Sequence, residues 1–409
     1  MSQAEFAAAP SMAPAIRYPH EVNNIVRLSL AQALAGANTA VVYATGAIIG
    51  HTLAPDPALA TLPISVLVVG MAASTLPAGA IARRHGRRAA FFVGTGCGVV
   101  TGLMAAVALV IGSFWLFCAA TPFAGAYAAV GFSYRFAAAD CVAPPRYARA
   151  MSSVLAGGVF AGVIGPQLVT YTMSLWSPYL FAATYLAQAG VAVLSAFVLA
   201  GVRLPPPTEA EIAGGRPLGL IARQPRFVMA VICGVVSYVL MNFIMTAAPL
   251  AMRLCGLSQE AANLGLQWHV IAMYAPSFFT GWLLARFGAL RIVAAGLALI
   301  AAAAATALLG LDVGHFWLAL ILLGIGWNFG FLGASALVLE SHRPEERTRV
   351  QSLNDFLVFG MMAVGSFSAG ELLATQGWSV VLWVSFAPLA LAAAALAVAA
   401  ASRPRAATS

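Results

Sequence analysis

Apolar residues along this chain do not alternate as in strands, nor do they form one stripe of an amphipathic helix. They run almost unbroken, in stretches of about twenty separated by short polar connections. A bilayer core of about 30 Å takes roughly 20 apolar residues in a helix. Twelve segments meet that length, at 26–49, 63–83, 89–112, 115–139, 151–173, 178–201, 227–250, 264–285, 291–311, 316–339, 351–373 and 378–401. The Gly112-Ser113 break before Trp115 divides 89–139 into two helices. An even number of spans puts both termini on one side.

Composition removes the soluble alternative. Only 8% of the residues are charged, against roughly a quarter in soluble domains. All 21 basic residues are arginine, and their placement orients the chain. The connections at 84–88, 140–150, 202–226, 286–290 and 340–350, with both tails, hold most of them; the opposite connections hold Arg253 alone. By the positive-inside rule both termini are expected in the cytoplasm, with a multi-pass chain in a bacterial inner membrane. Trp115, Trp176 and Trp378 are expected as interfacial anchors at the outer ends. The first 25 residues contain no apolar signal-peptide core, so the first span itself would direct insertion. The five cysteines are scattered, and neither a disulfide nor a metal site is expected. The arginine clusters lack interleaved aromatics, which argues against nucleic acid.

The longest inner connection, 202–226, is rich in proline, glycine and charge, and divides the spans into two sets of six. The expected organisation is a tail (1–25), a first six-helix bundle (26–201), a linker (202–226), a second bundle (227–401) and a tail (402–409). The halves repeat. Gly79, Arg84 and Gly86 recur as Gly281, Arg286 and Gly288, an offset of 202; Asp140, Pro144, Arg149, Ser152 and Gly165 recur as Glu340, Pro344, Arg349, Ser352 and Gly365, an offset of 200. Duplicated halves with a substrate path between them are a recurring transporter architecture.

The segment G-A-I-A-R-R-H-G-R-R, Gly79 to Arg88, resembles the loop 2–3 signature of the major facilitator superfamily, G-x-L-a-D-r-x-G-R-R. A-D-C-V-A-P-P-R-Y-A-R-A resembles its helix 4–5 loop, and A-G-V-I-G-P resembles the core of its antiporter motif. The resemblance covers the whole chain and implies twelve helices in two pseudo-symmetric six-helix bundles. Within it the chain looks like a bacterial, drug/proton-antiporter-like subgroup. Two departures stand out: Arg83 replaces the signature's acid, and Gln167-Leu168-Val169-Thr170 follows Pro166 where the antiporter form has a glycine pair.

Polar residues inside a membrane are costly and tend to face a cavity. Asp355, Glu371, Arg135 and His269 are the titratable candidates within spans, against plainer readings as an N-terminal helix acid, an interfacial acid, a snorkelling arginine and a packing histidine. His269 or Asp355 is expected to take up a driving proton, His269 because it titrates near neutral pH. Neutral candidates are Asn38, Tyr43, Gln167, Tyr171, Asn242, Gln267, Trp268, Trp327 and Asn328. The resemblance places helices 1, 4, 7 and 10 along the path, so these residues suggest an aromatic-plus-amide cavity without a central charge. It also implies that Arg83 stands where an acid would reach helix 11. A swapped pair, Arg83 with Asp355, is therefore expected at the inner gate, with Arg135 and the loop acid Asp140 as further gating candidates.

The expected function is secondary active transport of a small, largely neutral or amphipathic organic molecule, with no cofactor and with the chain as a monomer. Proton-coupled export is the first reading, from Gly165-Pro166. The alternative is uptake of a vitamin-like or other planar nutrient, and a lesser one is a non-transporting sensor. No H-E-x-x-H, G-x-S-x-G or phosphate-binding loop is present, which argues against an enzyme or an ATP-driven pump.

Overall fold

The computed structural model describes residues 20–56 and 59–401. Most of the N-terminal tail, the C-terminal tail and the side chain of Glu371 lie outside the described residues. Among the described residues regular structure is helical. The first half contains α1 (Glu21–Leu53), α2 (Leu62–His85), α3 (Arg87–Ile111), α4 (Phe114–Ala139), α5 (Tyr147–Thr172) and α6 (Ala182–Ala200). Two short helices follow in the linker, α7 (Glu209–Ala213) and α8 (Leu218–Ile221). The second half contains α9 (Pro225–Leu254), α10 (Gln259–Tyr274), α11 (Ser277–Phe287), α12 (Ala289–Leu309), α13 (Val313–Leu339), α14 (Arg347–Gln376) and α15 (Trp378–Ala401).

Ten of these helices are long and apolar enough to cross a bilayer, and α10 with α11 forms an eleventh span bent by 42°. The twelfth is α14, whose 30 residues exceed the length needed but whose first three turns carry Arg347, Arg349, Gln351, Asn354 and Asp355. Its polar end packs between α2 of the first bundle and α9 of the second, away from lipid. The result is two six-helix bundles.

Within each bundle the helices approach through glycine, as small residues permit in a membrane. A Cβ on Gly125 of α4 would lie 2.1 Å from the Leu67 carbonyl oxygen of α2, and one on Gly102 of α3 would lie 2.4 Å from that of Tyr185 on α6. In the second bundle Gly296 of α12 and Gly330 of α13 meet as closely.

The duplication is written in the backbone. Gly86 between α2 and α3 has φ 86° and ψ 159°; Gly288 between α11 and α12 has φ 81° and ψ 152°. Only glycine enters that region cheaply, so each half turns the same corner with the same residue. Short 3-10 turns, Pro144–Arg146 and Pro344–Glu346, likewise introduce α5 and α14.

α5 runs through Pro166 without interruption, whereas the eighth span is broken at Ala275-Pro276, where the proline has no amide hydrogen to continue the ladder. One expectation is corrected. Trp378 is not an exposed anchor: it is 8% exposed and packs on Phe316 at 5.4 Å, whereas Trp115 and Trp176 are exposed.

These contacts predict that Gly125→Val lowers the melting temperature of the purified protein, overpacking costing about 1–3 kcal/mol. Gly96→Val, where nothing lies within 4 Å, serves as the control and leaves it nearly unchanged. Thermal unfolding in detergent monitored by size exclusion measures both.

Candidate functional site

Midway along α13, Trp327 and Phe331 are one helical turn apart and their rings stack, 5.3 Å between centroids and 16° between planes. Tyr238 of α9 meets both rings edge-on, at 5.6 and 5.1 Å, and Tyr274 of α10 meets Trp327 at 5.5 Å. Phe359 of α14 lies 5.5 Å from Tyr238. The first bundle enters through Phe132 of α4, in ring contact with Tyr238, Phe331 and Phe359, and through Gly158 of α5, against which Tyr274 lies. The cluster therefore sits on the seam between bundles. Several buried polar atoms in the bundles have no partner: the Trp327 Nε1 hydrogen, the Asn242 amide nitrogen and the Asn38 carbonyl oxygen. Buried donors without acceptors are costly, and a ligand is one way to satisfy them.

Directly beneath lies a charge pair. Arg135 of α4 is fully buried, and its Nη2 donates to Asp355 Oδ1 of α14 at 2.6 Å. Its Nε donates to Ser335 Oγ of α13 at 3.2 Å, and its Nη1 donates to the Phe132 carbonyl. The guanidinium also stacks on Phe136 and on Phe331, 4.2 and 4.7 Å from the ring centroids. Phe331 thus carries Trp327 and the guanidinium as neighbours, and Asp355 is one turn below Phe359 on α14. Asn354 donates to the same carboxylate oxygen at 3.0 Å.

The expected pairing of Arg83 with Asp355 is not formed. α14 begins at Arg347, so Asp355 lies eight residues, about 12 Å, inside the helix, too deep for Arg83 at the end of α2. Arg83 donates instead to the Ile212 carbonyl at 2.5 Å. Arg135, expected to snorkel or pair locally, holds Asp355 across the bundles.

Toward the side bearing both described ends of the chain, the seam is closed. Arg87 of α3 binds Asp140 at 2.5 Å and Gln351 of α14 at 2.7 Å. Arg347 reaches the other oxygen of Asp140, at 3.4 Å, and also pairs with Glu211 of α7. Ser152 of α5 donates to the Ser277 carbonyl of α11 and accepts from Gly281 N. The linker is tied across both bundles. Arg83 of α2 and Arg349 of α14 bind the Ile212 and Gly214 carbonyls, and Arg216 forms a two-pronged pair with Glu346 at 2.5 and 2.7 Å. Glu346 is fully buried, and hydrogen bonding from Arg216 above all lowers its carboxyl to about 2.

The remaining candidates divide. Tyr43 on α1 is partly exposed and lies within electrostatic reach of Tyr238 and Tyr274. Gln167 and Tyr171 are exposed on the last turns of α5, and among the described residues no ring contact joins Tyr171 to the cluster. Trp268 is half exposed on α10, beside Gln267. Asn328 is structural: it donates to the Met273 carbonyl and Ser277 Oγ and accepts from Thr280, bridging the α10–α11 break. His269 is buried inside the second bundle, with Nδ1 donating to the Leu320 carbonyl at 2.7 Å. Phe132, Tyr238, Tyr274, Phe331 and Phe359 escaped the sequence reading. Two had a signal, since Phe331 is four residues after Trp327 and Tyr238 four before Asn242, each on the same helix face.

The family model described as Major Facilitator Superfamily matches residues 28–275 and 230–409. The chain is 48% identical over 371 residues, 90% of its own length and 93% of the relative's, to the riboflavin transporter RfnT of Brucella anthropi. Its fold is similar to that of a bacterial homologue of the iron transporter ferroportin in an outward-facing state, with TM-score 0.71, 19% identity and coverage of 93% of this chain and 99% of that one. It is also similar to the Escherichia coli fucose:proton symporter FucP, with TM-score 0.73, 15% identity and coverage of 95% and 99%.

The Arg216–Glu346 pair yields a pH prediction. A carboxyl lowered to about 2 stabilises the folded state above its usual value near 4.5, and that contribution fades as pH falls from there toward 2. Melting temperature measured from pH 6 down to pH 3 should therefore fall more steeply in the wild type than in Glu346→Gln, which starts lower.

Proposed function

Because the chain belongs to the major facilitator superfamily, and is a membrane transporter and not an enzyme, we propose that it takes up a planar, vitamin-like nutrient of the flavin class. The observation that carries this reading is the seam cluster: stacked Trp327 and Phe331, flanked by Tyr238 and Tyr274, with the indole hydrogen of Trp327 unpaired. A flavin ring system offers what this cluster lacks, a flat face for stacking and carbonyl and ring-nitrogen acceptors for an indole and an amide. The 48% identical relative carries a riboflavin transporter's name and supports the uptake alternative over export. Export keeps the Gly165-Pro166 motif as its support.

In this reading substrate enters the seam from the side opposite the chain ends while the other side is held shut. Trp327, Tyr238, Asn242 and Tyr43 contact it, and Trp268 lies on its approach. The arginine asymmetry sets the closed side in the cytoplasm of a bacterial plasma membrane, with residues 202–226 as the cytoplasmic connection between bundles.

Two measurements test the reading. Riboflavin binding to purified protein, followed by quenching of flavin fluorescence, is expected for wild type and about 10- to 100-fold weaker for Trp327→Ala, the range for losing a central aromatic contact. Wild type that ignores riboflavin, or Trp327→Ala that binds it equally well, contradicts the assignment. For orientation, an impermeant thiol reagent applied to intact cells should label exposed Cys255 and miss a cysteine at exposed Glu209. The reverse pattern inverts the topology.

A further inference from the structure

The arginines on the chain-end side are of two kinds. Several are taken up by the closed seam: Arg87 and Arg347 by Asp140, Arg216 by Glu346, and Arg83 and Arg349 by linker carbonyls. Arg27 of α1 and Arg88 of α3 are not. Both reach the end of α6, which packs on α1, α3 and α5 of its own bundle. Among the described residues no carboxylate pairs with either arginine.

The two side chains cap α6, because the last carbonyls of a helix have no partner in its own ladder. Arg27 Nη1 donates to the Val198 carbonyl at 3.1 Å, Arg88 Nη2 to the Ala200 carbonyl at 2.8 Å and Asn23 Nδ2 to the Gly201 carbonyl at 3.4 Å. Arg27 Nε donates to Asn23 Oδ1 at 3.1 Å, and the guanidinium lies against Gly201, where a Cβ would come within 2.3 Å of its Cζ. Arg88 lies over the Phe92 ring, 6.0 Å from its centroid. Both groups are thus positioned in advance, which lowers the entropy lost when a ligand binds. A guanidinium has five N–H donors. Nη2 of Arg27, and Nε and Nη1 of Arg88, have no partner among the described residues.

Val198 and Ala200 are two residues apart, so their carbonyls are turned by about 200° around the helix axis and the two arginines stand on opposite flanks of α6. A headgroup with two phosphates reaches both flanks; a headgroup with one engages a single flank. Exposed Arg203 follows directly after the helix. Three guanidinium charges outweigh the helix's own negative end, which is worth about half a charge. Deeper toward the bilayer centre the surface is apolar and uncovered. Phe197 of α6 is 72% exposed, and Arg88, Phe92, Gly96 and Leu103 share one face of α3. Nothing lies within 4 Å of a Cβ at Gly96, so that face has a groove between Phe92 and Leu103. The second bundle turns the same corner at Gly288 but has Leu290 in the place of Arg88.

We propose that the end of α6 binds an anionic phospholipid with two phosphates, of the cardiolipin type, from the leaflet on the chain-end side. One phosphate takes the free donors of Arg27 and the other those of Arg88, as charge-assisted hydrogen bonds. The acyl chains lie along Phe197 and in the groove at Gly96. The lipid joins α1, α3 and α6, and Asn24 of α1 binds both the N–H and the carbonyl of Arg203, at 2.9 and 2.7 Å. Bound lipid therefore fixes the root of the linker to the first bundle. The site lies within one bundle and is independent of the substrate.

Native mass spectrometry of the purified transporter, titrated with tetraoleoyl cardiolipin, dioleoyl phosphatidylglycerol or dioleoyl phosphatidylethanolamine, counts bound lipid per folded chain. Wild type should hold one cardiolipin about tenfold more tightly than phosphatidylglycerol, and phosphatidylethanolamine more weakly still. Arg27→Gln and Arg88→Gln should each weaken cardiolipin about fivefold, and the double variant about 25-fold. Arg291→Gln, which removes an exposed arginine from the first turn of α12, should leave cardiolipin binding unchanged. Phosphatidylethanolamine bound as tightly as cardiolipin overturns the proposal, as does an Arg291→Gln loss equal to that of Arg88→Gln. Phosphatidylglycerol bound as tightly as cardiolipin overturns the two-phosphate assignment. Glutamine also removes a helix cap, so melting temperature is compared with and without lipid for each variant. Cardiolipin should raise it by several degrees in wild type and leave the double variant nearly where it started. An equal rise in both, or the same rise with inorganic phosphate, contradicts a lipid site here.

Discussion

Arg135 and Asp355 face each other with almost no water between two bundles that must move apart. In low dielectric a charge pair is tolerated only while both members stay together, and breaking it by losing one partner costs about 3–5 kcal/mol. Much of the surrounding architecture follows from that constraint. The first three turns of α14 are polar because they carry Arg347, Arg349 and Asp355 with hydrogen-bonding neighbours, which is why this span is the least lipid-like of the twelve. Its polar end needs protein on both sides, and it has α2 on one and α9 on the other. The small residue Ser335 on α13, at the position equivalent to Arg135 in the second half, leaves room for the guanidinium and accepts from its Nε. The duplication thus placed the charge on one side of the seam and the space for it on the other.

The same guanidinium links the closed gate to the aromatic cluster. Phe331 has the Trp327 ring at 5.3 Å and the Arg135 guanidinium at 4.7 Å. Phe331 therefore packs Trp327 on the one hand and the Arg135 guanidinium on the other, so the aromatic cluster and the charge pair share one ring. Two further layers close the seam toward the chain ends: the Arg87–Asp140–Arg347 cluster and the linker, strapped to α2 and α14 through Arg83, Arg349 and the Arg216–Glu346 pair. These layers reach further toward solvent on their arginine side, with Arg216 32% and Arg347 25% exposed, whereas both members of the Arg135–Asp355 pair are buried.

Hydrophobic run length made the fold legible. The observed helices begin and end close to the twelve expected segments, because a bilayer penalises any polar backbone left unpaired. The repeat was legible for a similar reason, since Gly86 and Gly288 occupy a backbone region closed to other residues. The site was only half legible. Trp327, Asn242, Arg135 and Asp355 stand out as polar or aromatic residues at depth, but which charge meets which depends on helix depth and rotation. The start of α14 at Arg347 rather than near 351 moved Asp355 a full turn inward and exchanged its partner from Arg83 to Arg135. Asn328 looked like a cavity residue and is a bridge over a helix break, because the unmet carbonyl of Met273 is visible only once Pro276 has broken the span. Phenylalanines such as Phe132 and Phe359 carry no sequence mark that separates a substrate-facing ring from a packing one.

The central claim is that the buried Arg135–Asp355 pair holds the two bundles together on the chain-end side of the seam. The most direct measurement is the distance between spin labels at exposed Arg84, at the end of α2, and exposed Arg343, just before α14, in the purified transporter and in its Asp355→Asn variant. The account predicts a longer-distance population that is minor in the wild type and dominates when Asp355 is replaced by asparagine. A distance distribution unaltered by that substitution would contradict it.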